Sequence, residues 1–353
     1  MNAELIDYAA RLGHVASWVA EDCGFNELAR ELFALQFKHN PVYQKICEGR
    51  RLTPDIVEDW TQVPFVPTSA FKELELSSIP PEERSTVFHS SGTTEQKPSR
   101  HFHYAESLKV YEESLWTWFE GNVAGRDGQY ELLILTPPSQ AAPHSSLIHM
   151  FEIIRQVFGA PESVFVGKMN PDGTWILDFD RTVASLNTKN RKLILGTAFS
   201  FVHLLDYLRE KDLRFTLETS RLMETGGYKN RSRSMSKKQL HFLLNALLGI
   251  PRQNIICEYG MSELSSQAYD TKINGVDRRL RFPPWARAQI ISPETGAEVE
   301  DGETGLIRIF DLANVFSVAA IQTEDLGIRR GSGFELIGRA VQAEPRGCSL
   351  MTA

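Results

Sequence analysis

Residues 89–98 read His-Ser-Ser-Gly-Thr-Thr-Glu-Gln-Lys-Pro, which combines hydroxyl side chains, a glycine and a lysine in one short segment. Backbone N–H groups and hydroxyls in such a loop bind phosphate oxygens, and a lysine adds positive charge. The segment is not a P-loop, because no second glycine precedes the lysine. It predicts either a solvated turn or a polyphosphate site, in which the binding residues are Ser90, Ser91, Gly92, Thr93, Thr94 and Lys97.

A second candidate is the turn Tyr259-Gly260-Met261-Ser262-Glu263, which follows an apolar segment. The ring of Tyr259 is suited to covering a purine, and the hydroxyl of Ser262 is suited to facing a phosphate. The Glu263 carboxylate is a ligand of the kind that Mg²⁺ prefers. The alternative is a strand-to-helix turn in which Ser262 is the N-cap of a helix.

Two further turns carry residues suited to a nucleotide. Gly226 and Gly227 follow an apolar segment, and without side chains they let a flat base approach the backbone. The alternative there is a tight turn. Asp325, in the segment 322–327, supplies an acid suited to ribose hydroxyls, with an ordinary surface turn as the alternative.

Three histidines lie near these segments. His89 and His101 flank the hydroxyl-rich loop and face either phosphate or solvent. His144 precedes a helical pattern, which predicts a residue of the helix N-terminus.

The elements that must position these residues alternate between strand and helix. Apolar strand patterns occur at residues 131–136, 163–166, 192–197, 221–224 and 254–258, and helical patterns occur at 147–158, 199–211 and 236–248. This alternation predicts an α/β domain with a largely parallel sheet, whose ligands bind at the carboxyl ends of the strands. The expected organisation is a helical segment (1–62), the α/β core (63–285), a small β subdomain (286–338) and a C-terminal arm (339–353).

Composition excludes several classes of function. The 353 residues carry a net charge of −7, which argues against a general nucleic-acid binder. No apolar run approaches the ~18 residues of a membrane span. The four cysteines show no CxxC spacing, so we expect no zinc site and a cytoplasmic protein with reduced thiols.

The order of these motifs resembles the adenylate-forming superfamily of acyl and aryl ligases. The resemblance implies that the Ser/Thr/Gly loop holds the phosphates of ATP, that Gly226, Gly227, Tyr259, Gly260 and Ser262 surround the nucleotide, and that Glu263 binds Mg²⁺. It also implies that Asp325 holds the ribose and that Arg339 lies near the nucleotide, at the hinge to a small C-terminal domain.

Within that superfamily the chain resembles the LuxE-like acyl-protein synthetases. The resemblance rests on Val66-Pro67-Thr68-Ser69-Ala70-Phe71-Lys72, His144-Ser145-Ser146-Leu147 and Arg346-Gly347-Cys348-Ser349. It implies that a carboxylic, and specifically fatty, acid is activated as acyl-AMP and transferred to Cys348. The acyl group then passes to a partner of the acyl-CoA reductase type. Lys97 and His144 are the other catalytic residues that it implies.

The chain departs from the superfamily pattern in two places. Glu95 stands where the loop usually carries glycine. The C-terminal domain with its catalytic lysine is expected to be absent, so Lys97, a histidine or a partner subunit is expected to supply that charge. Two alternatives therefore stay open: a ligase that transfers an acyl or aryl group to CoA, and a non-catalytic subunit that binds a nucleotide or an acyl group.

Overall fold

The computed structural model describes residues 3–12, 24–90, 97–125, 129–171, 174–226, 235–271 and 278–340. Its helices are α1 (Ala3–Leu12), α2 (Phe25–His39), α3 (Pro41–Gly49), α4 (Ala70–Glu73), α5 (Ala105–Phe119), α6 (Ser146–Phe158), α7 (Phe179–Leu186), α8 (Ala198–Glu210) and α9 (Lys237–Leu248). Its strands are β1 (Val66–Pro67), β2 (Thr86–His89), β3 (Arg100–His103), β4 (Glu131–Ile134), β5 (Val164–Phe165), β6 (Gly167–Met169), β7 (Trp175–Leu177), β8 (Lys192–Thr197), β9 (Arg221–Thr225), β10 (Ile255–Tyr259), β11 (Ala268–Tyr269), β12 (Ala286–Ile291), β13 (Thr304–Asp311), β14 (Ala320–Arg330) and β15 (Gly333–Arg339).

The central element is a six-stranded sheet in the order β11-β10-β9-β8-β4-β5. All neighbours in it are parallel except the pair β10–β11. Helices cover both faces, so the inner strands carry buried apolar residues on both faces, and Leu193, Ile194 and Leu195 of β8 are fully buried. The α/β fold with a largely parallel sheet is therefore as the alternating pattern predicted.

The alternation of side chains along each strand divides the core between the two faces. Leu193 and Leu195 pack with α5 and α6, whereas Ile194 packs with α8 and α9. Local signals set the helix ends. The Ser145 side chain accepts from the backbone of Ile148 at the start of α6, and Gly249 ends α9 with a φ of +68°.

A second sheet has five strands, in which β12, β13, β14 and β15 are antiparallel neighbours and β1 pairs parallel to β14. The N-terminal helices pack on it, and Phe25, Trp60 and Phe65 each place a ring edge-to-face against Phe310. The first helices and this sheet thus share one hydrophobic core. The predicted β subdomain, segment 286–338, contains β12, β13, β14 and all but the last residue of β15.

Several short elements have no clear sequence pattern. The strands β2 and β3 form a hairpin around the hydroxyl-rich loop, and β6 and β7 form another. Helix α5 continues into a π-helical turn that ends at Ala124.

None of the helices in the described ranges is long and apolar enough to cross a membrane.

Candidate active site

The hairpin β2–β3 forms the base of the hydroxyl-rich loop. The backbone N–H of Ser99 donates to Ser90 Oγ at 3.0 Å, and the N–H of Ser90 donates to the Ser99 carbonyl at 3.3 Å. Lys97 follows the loop and forms a 3.3 Å ion pair with Glu73, both side chains being largely exposed. Such a pair holds its lysine weakly, which leaves the ammonium available to an anion. Ser91, Gly92, Thr93, Thr94 and Glu95 lie outside the described residues.

Three of the predicted site residues meet where the two sheets adjoin. The hydroxyl of Tyr259, the last residue of β10, donates to Asp325 Oδ2 at 2.8 Å. Arg339 lies opposite Asp325 in the β14–β15 ladder, with Nε 3.5 Å from Oδ1. Burial and the Asp325 charge raise the pKa of Tyr259 well above its usual range, so the phenol stays a donor. This group brings together an aromatic ring, a carboxylate and a guanidinium.

The turn after Tyr259 is fixed by buried side chains from two other segments. The carbonyl oxygen of Ser262 lies 2.8 Å from His101 Nδ1, and Asn314 Nδ2 donates to the carbonyl of Glu263 at 2.9 Å. Burial lowers the pKa of His101 to about 4, so the ring is neutral and donates from Nδ1. The prediction that His101 faces phosphate or solvent is therefore wrong, because the side chain is 3% exposed.

Ser262 is not a helix N-cap. The segment after it runs through turns to β11, and the Ser262 hydroxyl donates to Glu263 Oε2 at 3.1 Å. A carboxylate supported by a hydroxyl suits Mg²⁺, which protein sites bind through one or two carboxylates while phosphates and waters complete the shell. In the part of the chain that the structure describes, no three His, Cys, Asp or Glu side chains gather into a metal cage.

His144 lies just before α6, next to the β2–β3 hairpin. Its ring stacks on that of His89 with centroids 4.7 Å apart, and its Nδ1 lies 3.0 Å from the Val87 carbonyl. The N–H of His89 donates in turn to the His144 carbonyl at 2.8 Å. Partial burial and the neighbouring His144 lower the pKa of His89. The segment before α6 is thus attached to the strand that leads into the loop.

Gly226 ends β9 with a φ of +77°, a conformation that favours glycine. No described atom beyond its chain neighbours lies within 4 Å of where a Cβ would stand, and residues 227–234 lie outside the described residues. Gly227 and Cys348 lie outside the described residues, and their assignments stay predictions.

Sequence reasoning missed Glu258, which precedes Tyr259 and is 4% exposed. Thr225 Oγ1 donates to its Oε2, and burial raises the pKa of Glu258 to about 7. A Cβ at Gly260 would lie 2.4 Å from Glu258 Oε1, so the glycine leaves room for this carboxyl group. The available signal was a charged residue within an otherwise apolar strand pattern.

A cavity of about 650 Å³ lies between α2, the segment 280–290 and the β14–β15 turn. It shares Phe282 and Phe334 with the aromatic rings around Tyr259. Neither Tyr259, Glu263 nor Asp325 lines it, so this cavity is separate from the residues predicted to bind a nucleotide.

Comparison with known proteins gives consistent findings. A family model described as acyl-protein synthetase, LuxE, matches residues 21–353. The long-chain-fatty-acid–luciferin-component ligase of Aliivibrio fischeri is 25% identical, over 93% of this chain and 87% of that protein. The protein of the same description from Vibrio harveyi is also 25% identical, over 92% of this chain and 86% of its own length.

Solved structures with a similar fold include 2-hydroxyisobutyryl-CoA ligase in complex with 2-HIB-AMP and CoA. It aligns with a TM-score of 0.68 at 15% identity, over 91% of this chain and 69% of that one. ATP-bound MatB from Rhodopseudomonas palustris aligns with a TM-score of 0.51 at 16% identity, over 96% and 73% of the two chains. At such identities the likeness shows a common fold.

Proposed function

Because the chain belongs to the acyl-protein synthetase (LuxE) family, we propose that it activates a fatty acid with ATP and accepts the acyl group on Cys348. The supporting observation is the meeting of Tyr259 with Asp325 beside Glu263, three residues predicted separately to contact one nucleotide. The ligases of Aliivibrio fischeri and Vibrio harveyi support a long-chain acid as the substrate.

The first step forms an acyl adenylate. A carboxylate oxygen attacks the α-phosphorus of ATP, the bond to the β-phosphate oxygen breaks, and pyrophosphate leaves. The barrier comes mainly from crowding negative charge, so groups that hold the phosphates stabilise the transition state. Ser90, the loop after it and Lys97 would hold them. Glu263 would bind Mg²⁺, which offsets phosphate charge when it is present.

Tyr259 and Asp325 would orient the nucleoside during this step. The carboxylate of Asp325 accepts from ribose hydroxyls while the hydroxyl of Tyr259 fixes its position. Arg339, which is 69% exposed, lies on the open side of the same acid, where it can approach the α-phosphate. His144 would orient the incoming carboxylate from the segment before α6.

The second step moves the acyl group to sulfur. The Cys348 thiolate attacks the carbonyl carbon of the anhydride, the carbon–oxygen bond to AMP breaks, and AMP leaves with the electron pair. The thiol proton passes to solvent or to a nearby base. Arg346 is two residues away and favours the thiolate. The acyl group then passes to a reductase-type partner, and the requirement for a reduced thiol supports a cytoplasmic location.

The test is purified protein with ATP, Mg²⁺ and a panel of carboxylic acids. Pyrophosphate exchange and hydroxylamine-labile acylation detected by intact mass are expected. Cys348→Ala should abolish acylation and keep exchange, whereas the matched control Ser349→Ala should keep both. Absence of exchange with every acid contradicts the proposal. Exchange with acylation unaffected in Cys348→Ala, or acyl transfer to added CoA instead, contradicts the role of Cys348.

A further inference from the structure

Four polar side chains gather beneath the carboxyl edge of the parallel sheet. Glu258 of β10 lies between Thr225 of β9 and Tyr269 of β11, and is the register partner of both. Register partners project from the same face of a sheet, and on this face α5 packs with Tyr111. Burial raises the pKa values of Tyr111 and Tyr269, and the nearby charge of Glu258 raises them further. The four side chains therefore form one contiguous group, which we call the polar cluster.

Several atoms in and beside the polar cluster have no hydrogen-bond partner among the described residues. They are Tyr269 Oη, Gln267 Oε1 and His103 Nε2. Their side chains are buried, with exposures of 1%, 6% and 1%. Gln267 approaches Gly260 beside the Glu258 carboxyl, and the His103 ring lies 6.2 Å from that of Tyr111. Buried polar groups are normally hydrogen-bonded, and an unmade bond costs about 1–3 kcal/mol. The cluster thus has unused bonding capacity.

The position of the polar cluster relates it to the acid rather than to the nucleotide. Glu258 is adjacent to Tyr259 in β10, so their side chains point to opposite faces of the sheet. The hydroxyl of Tyr111 lies 3.4 Å from the Ser146 carbonyl, at the start of the helix that follows His144. The polar cluster therefore lies on the face of the sheet opposite to Tyr259 and near the segment before α6, where the proposed function places the carboxyl group of the acid.

The available groups favour a neutral ligand atom that both donates and accepts. With its pKa near 7, the Glu258 carboxyl is partly protonated at neutral pH and can donate or accept. Tyr269 and His103 add a hydroxyl and a ring nitrogen, and Gln267 adds an acceptor. A carboxylate or phosphate placed here would be repelled by Glu258. An alkyl chain would form no hydrogen bond with Tyr269, Gln267 or His103.

We propose that the polar cluster is a subsite for a hydroxyl or carbonyl group carried close to the carboxyl end of the acid substrate. The inference rests on the proposed function and narrows its substrate to functionalised acids, such as hydroxy acids. A site built to bond a substrate hydroxyl discriminates strongly against the analogue that lacks it.

The test compares decanoic acid with 2-hydroxydecanoic and 3-hydroxydecanoic acid in pyrophosphate exchange. In the unmodified protein, kcat/KM for one of the hydroxy acids should exceed that for decanoic acid by about tenfold or more, which corresponds to about 1.4 kcal/mol. In Tyr269→Phe and in Glu258→Leu, the ratio of kcat/KM for that hydroxy acid to kcat/KM for decanoic acid should fall close to one. Tyr269→Phe is the sharper variant, because its hydroxyl has no partner among the described residues and its loss should not destabilise the fold.

Tyr104→Phe is the matched control. It removes another buried hydroxyl without a described partner, but its ring packs against Phe316 in a different core. In Tyr104→Phe, the ratio of kcat/KM for the hydroxy acid to kcat/KM for decanoic acid should equal that of the unmodified protein. Equal rates with all three acids in the unmodified protein, or a ratio unchanged in Tyr269→Phe, would overturn the subsite and leave the ligase function standing. Exchange with none of the acids would instead count against the ligase function itself.

Discussion

The hydroxyl of Tyr259 donates a 2.8 Å hydrogen bond to the carboxylate of Asp325, although 66 residues separate them in the sequence. The bond joins the end of β10 in the parallel sheet to β14 in the five-stranded sheet. If Tyr259 covers the adenine and Asp325 holds the ribose, this bond fixes the two halves of a nucleoside site relative to each other.

Tyr259→Phe should weaken ATP binding without unfolding the protein. The ring that would cover the adenine remains, but Asp325 loses the donor that fixes it, and one hydrogen bond is worth about 1 kcal/mol. The KM for ATP in pyrophosphate exchange should rise about three- to tenfold. Tyr207→Phe is the control, since that ring stacks on Phe179 away from the site. An unchanged KM for ATP would show that the bond has no part in binding.

His101→Phe should loosen the turn that carries Glu263. The change leaves the buried carbonyl of Ser262 without its donor, which should lower the free energy of unfolding by about 1–3 kcal/mol. The Mg²⁺ concentration needed for half-maximal exchange should rise as well. Loss of stability with an unchanged Mg²⁺ requirement would separate His101 from the metal. The exposed His203→Phe serves as the control.

Glu258→Gln should change how stability depends on pH. The pKa of Glu258 is about 7 in the folded protein, against about 4.3 for an unperturbed glutamate. Between these two pH values the carboxyl group is protonated in the folded state and ionised in the unfolded state. Its contribution to the free energy of unfolding is therefore full below about pH 4.3 and is lost as the pH rises through 7. The stability of Glu258→Gln relative to the unmodified protein should therefore rise with pH, by up to about 1.4 kcal/mol per unit.

Urea unfolding at pH 5, 6 and 7 measures this difference. The exposed Glu294→Gln should show no such trend. A difference between Glu258→Gln and the unmodified protein that stays constant from pH 5 to 7 would place the Glu258 pKa outside that window.

Lys192→Met should be strongly destabilising. Lys192 and Glu131 form a 3.0 Å ion pair at the amino end of the parallel sheet, with side chains 0% and 2% exposed. Burial alone would raise the pKa of Glu131, but bonds from Thr188, Ser185 and Lys192 outweigh it and the pKa is lowered. Removing the lysine leaves a buried charge uncompensated, at a cost of about 3–5 kcal/mol.

The double variant Lys192→Met/Glu131→Gln should recover part of that loss, because the uncompensated charge is then absent. Denaturant unfolding of the two single variants and the double variant measures the coupling. Lys211→Met, in the exposed pair with Glu210, should leave the free energy of unfolding almost unchanged. If the stability losses of the two single variants add up to the loss of the double variant, the two charges are not coupled and the prediction is wrong.

The sequence was sufficient to predict the α/β class, because strands buried on both faces carry runs of apolar residues, as Leu193, Ile194 and Leu195 do in β8. It was also sufficient to predict the family, which the match over residues 21–353 confirms. It did not reveal that β1 lies beside β14, because a pairing of two residues across such a distance in the chain leaves no periodic pattern. The shared core of the first helices and the β subdomain was missed for the same reason.

Within the candidate site, sequence reasoning identified several candidate residues but not the residues that contact them. Tyr259, Glu263 and Asp325 were predicted, and the structure brings Tyr259 and Asp325 into contact. The roles of His101 and Asn314 were not predicted, because each acts by bonding a backbone carbonyl, and carbonyls are invisible in a sequence. Glu258 was missed because its importance depends on burial and on Thr225 in the neighbouring strand.

The pairing of Asp325 with Arg339 has a kinetic consequence for the C-terminal cysteine. Arg339 ends β15 directly opposite the acid proposed to hold the ribose. Cys348 follows nine residues later, and nine residues reach at most about 32 Å. A thiol confined to that radius has an effective concentration on the order of ten millimolar. Acyl transfer would then be independent of enzyme dilution, and a competing thiol in solution would have to exceed that concentration to intercept the adenylate.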